Sequence, residues 1–329
     1  IIYSDNASSF LTSVVKMFKS RKLYSSGEAF LVGAENALFP LVSNKGGKAM
    51  SPIPLDAYKL LLVRNWYRPE IAANIIRLFR RLESRYKEGY SNLRPDQDVY
   101  LAYLKATAIV STGLADIECI LEEMINLYEE TRDVASKPAV EAFNVVLFQI
   151  RNKVTDPRVV KTKSLDVWNR LLGLDVTPDA KTINFVMHSV IKDNQSKKAT
   201  TTKFSKVMEL YKYCDEFHVA PDSHTYHFVL TACRTANKEE QEEALATCLR
   251  VFGAIRKQGF TSVASYVLLT KALSHLLRDQ PKSVADKVAT STLLLCYDDG
   301  LLAPEVKQAF ESITSEEMWK QIHTQRVSL

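Results

Sequence analysis

Apolar and polar residues recur along this 329-residue chain in one short arrangement. An aromatic or β-branched residue, called the anchor here, is followed three and four positions later by a mostly apolar pair. The anchors lie roughly 40 residues apart, a period typical of one supersecondary unit stacked on copies of itself. They are Tyr58, Tyr100, Phe143, Ile183, Tyr226 and Tyr266.

Each anchor lies in a segment whose pattern predicts a first helix, and a second amphipathic segment follows it. Between Tyr58 and Tyr100, for example, Ile71, Ile75 and Leu78 fall at helical spacing. The fold class predicted is therefore all-α: a right-handed superhelical α-solenoid of helix-turn-helix repeats. The predicted second helices cover 69–86, 115–131, 164–172, 203–217, 240–257 and 283–297.

The pattern also predicts where the units begin and end. A poorly matching helical pair and a linker occupy 1–50, and a C-terminal capping helix occupies 306–329. Polar stretches at 152–164 and 193–203 are expected to be loops inserted between the two helices of a unit. The six repeats are predicted at 55–96, 97–139, 140–179, 180–222, 223–262 and 263–305.

Several predicted units close with a proline and an acidic residue, as in Pro95-Asp96, Pro178-Asp179 and Pro221-Asp222. Proline stops the preceding helix, and a carboxylate is favoured at the positive N-terminal end of the next. Rings such as Trp168 recur at matching places in the second helices. Trp168 is therefore expected to be buried between adjacent second helices.

Composition narrows the possible functions only slightly. The formal charge of +5 and the pI near 8.8 permit a nucleic-acid partner without requiring one. Five cysteines without a CxxC spacing suggest buried free thiols in a reducing compartment. No apolar run approaches the ~20 residues of a membrane span, so no membrane insertion is expected. The chain opens on Ile1, which suggests an excerpt of a longer protein.

Motifs for catalysis or cofactor binding are absent from the sequence. No GxxxxGK[ST], GxGxxG or HExxH pattern occurs, and the six histidines lack the spacing of a zinc site. We therefore expect no enzyme activity, no catalytic residues, no metal, no cofactor and no small-molecule substrate.

Two unit junctions resemble a known family. The run from Pro178-Asp179 through Thr182-Ile183-Asn184, and the run from Pro221-Asp222 through Thr225-Tyr226-His227, resemble pentatricopeptide repeat proteins. In that family a unit ends Pro-Asp and the next begins with a Thr-Tyr-Asn-like run. The resemblance covers about residues 51–305 and implies single-stranded RNA binding, one base per repeat. The period alone would also suit HEAT repeats, but the Pro-Asp junctions favour the pentatricopeptide family.

The resemblance implies particular base-reading residues: the residue after the anchor and the last residue of the same unit. Asn144 with Asp179, and Asn184 with Asp222, resemble the combination that prefers uracil. Leu101 with Ala139 should be nearly blind to sequence. Two further pairs are candidates although they depart from the known combinations, namely Lys59 with Asp96 and His227 with Ser262.

The residue two places before each anchor should also face the RNA. Lys181 and His224 hold this position in two units and are expected to contact bases or backbone. Asp56, Asp98 and Glu141 hold it in the first three units, where a carboxylate would repel phosphate. Basic residues near the ends of first helices could track the phosphates or cap the helix C-termini. The candidates are Arg151, Lys192 and Arg234.

Two function classes follow. The first is an RNA-binding protein that supports processing, stability, editing or translation of organellar transcripts, in the mitochondrion or the chloroplast, with the mitochondrion preferred. The alternative is a tetratricopeptide-like scaffold whose helical repeats bind protein partners. The uracil-like pairs favour RNA, whereas the acidic positions and low net charge favour protein.

Overall fold

The computed structural model describes residues 5–38, 51, 53–62, 68–193, 202–311 and 313. These residues form fifteen α-helices and no strand, which confirms the predicted all-α class. The chain divides into two compact units, an N-terminal unit (Ile1–Lys153) and a C-terminal unit (Val154–Leu329). The predicted linker before residue 51, most of the 193–203 loop and the end of the predicted capping helix lie outside the described residues.

The N-terminal unit contains seven α-helices among its described residues. First helices pack on one another in succession, since α5 contacts both α3 and α7, while α4 and α6 pack against α5 as second helices. The N-terminal pair α1 and α2 packs on α3. The helices are α1 (Asp5–Ser20), α2 (Tyr24–Leu38), α3 (Leu55–Leu62), α4 (Pro69–Lys87), α5 (Gln97–Val110), α6 (Ala115–Thr131) and α7 (Val140–Lys153).

The C-terminal unit repeats this arrangement with eight helices in its described part. First helices α9, α11 and α13 contact each other in order, and the second helices α10, α12 and α14 each pack on the first helix of their own repeat. The helices are α8 (Pro157–Gly173), α9 (Ala180–Lys192), α10 (Lys203–Glu216), α11 (Ser223–Cys233), α12 (Gln241–Lys257), α13 (Val263–Leu276), α14 (Lys282–Asp298) and α15 (Pro304–Glu311).

All six anchors are buried, and Tyr100 is the most exposed of them at 8%. The apolar pairs that follow the anchors are buried too, except that Tyr103 is half-buried and stacks on Phe79 with ring centroids 4.0 Å apart. The repeated pattern is therefore the core of the stack, because each first helix turns the same face toward its neighbours.

At four unit junctions the unit-final side chain caps the first helix that follows. Asp96, Asp179, Asp222 and Ser262 are the N-caps of α5, α9, α11 and α13, and each side chain accepts a hydrogen bond from the backbone N–H three residues on. At Asp179 and Asp222 the third helical residue is a threonine that completes a capping box. Such a side chain satisfies one of the four N–H groups left unpaired at a helix start.

A left-handed residue ends every second helix from α4 to α14. Three are glycines, where positive φ costs little, and three carry side chains, where it costs roughly 1–2 kcal/mol. A backbone bond spanning the turn accompanies it, as from the N–H of Val219 to the carbonyl of Cys214 at 2.8 Å. The residues are Gly89, Arg132, Asp175, His218, Gly259 and Gly300.

Two expectations from the sequence are wrong. Residues 157–164 belong to α8 and not to a loop, because Asp156 caps the N–H of Arg158 at 2.9 Å and Pro157 occupies the first helical turn. Cys119 is exposed, although the other four thiols are buried as expected. Cys119 lies on the outward side of α6, which the argument from apolar neighbours along the chain did not take into account.

The expectation for Trp168 is confirmed. Trp168 of α8 is 4% exposed, and its ring meets that of Tyr213 on α10 edge-on at 5.1 Å. Tyr128, at the matching place in α6, is only half-buried, with Arg132 and Lys137 each 5.9 Å from its ring centroid.

Candidate nucleic-acid interface

One face of each first helix points away from the core. Its members stand two before, one after and five after the anchor; these three positions, spaced by three and four residues, are called the outer stripe here. The residue two before the anchor is exposed in all six repeats: Asp56, Asp98, Glu141, Lys181, His224 and Ala264. The outer stripe is therefore a candidate surface for a partner, although the position after the anchor is half-buried in five repeats and buried at Asn144.

In the C-terminal unit, Asn184 and Asp222 are in contact. The Asn184 amide nitrogen donates to both carboxylate oxygens of Asp222, at 3.0 and 3.1 Å. Asp222 Oδ1 also accepts the Thr225 N–H at 2.8 Å and the Thr225 hydroxyl at 3.0 Å. Asn184, the residue after the anchor, is thus held by Asp222, which caps the next first helix.

The carbonyl oxygen of Asn184 has a different environment. Asn184 Oδ1 is buried and has no hydrogen-bond partner among the described residues. A buried acceptor left unpaired costs roughly 1–3 kcal/mol. The amide nitrogen of Asn184 thus has hydrogen-bond partners, whereas its carbonyl oxygen has none among the described residues.

Hydrogen bonds also set the charge of Asp222. Burial would raise the pKa of its carboxyl, but the bonds from Thr225 and Asn184 lower that pKa below the ordinary value. The carboxylate is therefore ionised at neutral pH. An anionic ligand could approach it only with a cation or a hydrogen-bond donor between the two charges.

Two other candidate pairs are brought together in the same way. Lys59 Nζ lies 2.7 Å from Asp96 Oδ2, and it also lies 3.0 Å from Asp98 Oδ2. His227 Nε2 lies 2.9 Å from the hydroxyl of Ser265, which lies 2.9 Å from the hydroxyl of Ser262. Ser265 is thus a bridge that the sequence argument missed, although its place as the third residue of α13 matches the capping threonines.

Asn144 lies in the N-terminal unit and Asp179 in the C-terminal unit, so each is described within its own unit. Asn144 on α7 is only 8% exposed. Asp179 caps α9 through the Thr182 N–H at 2.8 Å. Leu101 is half-buried on the outer stripe of α5 and brings no polar group.

Cations on the outer stripes differ between the units. In the N-terminal unit, Lys59 is paired as above, and Lys105 Nζ lies 2.5 Å from Glu141 of the next first helix. In the C-terminal unit, Lys181 and Lys271 are exposed, as are Lys192 and Arg234 near the ends of α9 and α11. None of these four forms an ion pair with a described carboxylate.

The remaining candidate cation of the N-terminal unit is Arg151, exposed in the last turn of α7. His224 is exposed on the outer stripe of α11, one turn before His227. Burial, with a further effect of the nearby His224, lowers the pKa of His227, against the opposing charge of Asp222. His227 is therefore a neutral hydrogen-bonding side chain near pH 7.

The described part of the chain lacks the features of two other kinds of site. No group of three or more His, Cys, Asp or Glu side chains there could hold a metal ion. Within the same residues, no helix is both long and apolar enough to cross a membrane.

Comparison with solved structures finds similarity to helical-repeat proteins. The structure is similar to that of the pentatricopeptide repeat protein PPR10 from maize, with 14% identity and a TM-score of 0.43 over 92% of this chain and 41% of that chain. It is also similar to PPR10 in complex with an 18-nt psaJ RNA element, with 12% identity and a TM-score of 0.27 over 93% and 51%. This chain thus spans about half, or less, of the length of those proteins.

No protein-family model matches the sequence, and no curated protein matches it.

Proposed function

We propose that the chain is a single-stranded RNA-binding protein whose outer stripes contact the strand, with the C-terminal unit supplying base selectivity. The observation that carries the proposal is the Asn184–Asp222 contact, in which the residue after the anchor meets the cap of the next repeat. The resemblance of the Pro-Asp and Thr-aromatic junctions to pentatricopeptide repeats supports the same conclusion.

The unpaired oxygen of Asn184 suggests which base the repeat prefers. Asn184 Oδ1 lacks a donor, so a base edge that offers an N–H beside a carbonyl would satisfy it once binding exposes this buried oxygen. Uracil has such an edge, with its imide N–H between two carbonyl groups. Because Asp222 holds the amide nitrogen, the orientation of the side chain is set before the ligand arrives.

The test replaces Asn184 by serine and measures affinity for a panel of oligonucleotides that differ at one base. We expect a loss confined to one position, on the order of 1–3 kcal/mol for uracil, with a shift of preference toward a purine. The matched control is Asn169→Ser, an exposed asparagine on α8, which should bind every strand as the unmodified protein does. Equal binding of all strands by the unmodified protein would contradict base selectivity.

Further parts of the proposal come from the sequence. Asn144 with Asp179 would extend the preference to a second uracil, so that crosslinking and sequencing of bound RNA should recover a U-U step. The transcripts would be organellar, with the protein acting in their processing, stability, editing or translation. Localisation of the tagged full-length protein to the mitochondrion or the chloroplast is the expected result, with the mitochondrion preferred. No catalytic step is included in the proposal.

A protein-binding scaffold is the second candidate, and the acidic outer stripe of the N-terminal unit favours it. Asp56, Asp98 and Glu141 are all exposed there, where phosphates would be repelled. If the protein binds no single strand at low salt but is recovered with a defined protein partner, the scaffold replaces the RNA proposal.

A further inference from the structure

One exposed aromatic ring lies on the outer stripe of the N-terminal unit. Phe148, five residues after the anchor of α7, is 46% exposed. Among the described residues of the anchor-bearing helices α3, α5, α7, α9, α11 and α13, it is the only Phe, Tyr or Trp that is exposed. A large ring held half in solvent on a candidate binding surface is a contact that a ligand could use.

A cation accompanies the ring on the same face of the helix. Arg151 follows Phe148 by three residues, so the two side chains are neighbours on the α7 surface. Arg151 is exposed and forms no ion pair with a described carboxylate. The surface of α7 therefore offers a partly exposed aromatic ring beside a guanidinium, and a nucleotide, with a flat base and a phosphate, presents the complementary groups.

The other outer-stripe residues of α7 offer less to a base. Asn144, one turn before Phe148, is only 8% exposed. Glu141, at the start of the stripe, carries a charge of the wrong sign and contacts Lys105 at 2.5 Å. The ring of Phe148 thus provides the largest accessible apolar surface on this stripe.

We propose that Phe148 stacks on a base of the bound strand while Arg151 contacts an adjacent phosphate, which makes α7 a contact that tolerates any base. Stacking depends on the π-face that every base has, so it adds affinity without selecting sequence. This inference rests on the proposed RNA binding and assigns non-selective binding to α7, in contrast to the selectivity assigned to Asn184.

The experiment compares Phe148→Ala, Phe148→Leu and Phe148→Trp by fluorescence anisotropy with 12-nucleotide strands of uridine and of adenosine. Phe148→Ala should weaken binding of both strands by roughly 5- to 150-fold, the range that loss of one base–aromatic stack implies. Phe148→Leu, which keeps most of the apolar volume but not the ring, should be weakened as well. Phe148→Trp should bind as tightly as the unmodified protein, and its added indole fluorescence should be quenched by RNA.

Leu249→Ala is the matched control, because Leu249 is a similarly exposed apolar side chain on the second helix α12. It should bind both strands normally. Thermal unfolding of each variant checks folding, and Phe148→Leu keeps the test decisive if the alanine variant folds poorly.

The inference is overturned if Phe148→Ala or a folded Phe148→Leu binds within twofold of the unmodified protein. It is also overturned if the loss is confined to one of the two strands, since that would indicate base reading and not stacking. Failure of the unmodified protein to bind either strand is a separate result, which removes the proposed function and this inference with it.

Discussion

The two units present outer stripes of opposite character on the same helical framework. In the N-terminal unit the positions two before the anchor carry Asp56, Asp98 and Glu141, and the lysines nearby are paired with carboxylates. In the C-terminal unit the same positions carry Lys181, His224 and Ala264. The buried faces of the repeats are nevertheless alike, with every anchor in the core.

This difference separates the residues that build the repeat from those that determine its partner. The anchor and the apolar pair build the stack in every repeat, whereas the outer stripe varies in charge. Under the proposed function the C-terminal unit would bind phosphate and select bases. The N-terminal unit would bind more weakly, mainly through the exposed ring and arginine of α7.

Trp168→Ala should have the largest effect and should fall on the C-terminal unit. Removing a buried indole that packs between second helices costs roughly 3–5 kcal/mol of unfolding free energy. Tyr128→Ala, at the matching place in the N-terminal unit, should cost far less because that ring is half-buried. Urea denaturation of both variants measures the difference, and equal losses would contradict the register that matches the two residues.

Loss of the unpaired cations is the next largest effect. Combined replacement of Lys181, Arg234 and Lys271 by alanine should weaken RNA binding by roughly 100-fold at 0.1 M salt and reduce the salt slope by about 2. Replacement of Lys59 and Lys105, which are already paired with carboxylates, should change both quantities much less. If the two sets behave alike, the contrast between the units does not control RNA affinity.

The shared cap allows stability and recognition to be separated. Asp222→Ala removes the cap of α11 and should cost about 0.5–2 kcal/mol of unfolding free energy, whereas Asp222→Asn keeps a capping oxygen and should cost little. Asp96→Ala in the N-terminal unit should cost a similar amount through α5, without changing base preference. Denaturation and oligonucleotide panels on the same samples test both statements. A base preference that changes with Asp96→Ala would contradict the assignment.

Neutralising the acidic stripe should strengthen binding modestly. Asp98→Asn with Glu141→Gln removes two exposed carboxylates and breaks the ion pair of Lys105 with Glu141. We expect affinity for RNA to rise by about threefold at low salt and the gain to vanish at high salt, where exposed charges are screened. Unchanged affinity at low salt would indicate that the strand does not approach these helices.

The smallest effect is a pH dependence of stability, which also belongs to the C-terminal unit because all six histidines lie there. Burial lowers the pKa of His227, so near the ordinary histidine pKa the unfolded chain binds more protons than the folded one. This histidine's share of the stability is full above that pKa and declines as the pH falls through it. His227→Gln should reduce the loss between pH 7.5 and 5.5 by under about 1 kcal/mol, since the ring is only half-buried. A larger loss in the variant would reverse the sign.

Much of the fold could be predicted from the sequence because its signals are local and repeated. The anchors mark the buried face, and Pro-Asp marks where a first helix begins. The start of α8 was missed because the polar segment before Ser164 lacks an apolar stripe, although Asp156-Pro157 is itself a helix-start signal. Three non-glycine residues adopt the left-handed conformation: Arg132, Asp175 and His218. Their conformation could not be predicted, since no glycine marks these positions.

The candidate site was predictable only in part. The rule that joins the residue after the anchor to the unit-final residue led to Lys59 with Asp96 and to Asn184 with Asp222, which are in contact. The base-reading roles of Asn184 and Asp222 stay predictions, and the proposed function assigns no base to Lys59 and Asp96, whose charges are paired with each other. The ion pair of Lys105 with Glu141 and the exposure of Phe148 depend on how successive first helices pack, which a sequence pattern does not specify.

The capping role of the unit-final side chain restricts how such a chain could acquire a new target. A capping side chain at that place presents an oxygen to the next helix, and only Asp, Asn, Ser and Thr keep this contribution in full, whereas Ala139 before α7 lacks it. Asp96, Asp179, Asp222 and Ser262 all fall within this set. Under the proposed function, a unit-final residue that also caps a helix would evolve under two constraints. A substitution there would change helix stability as well as base preference.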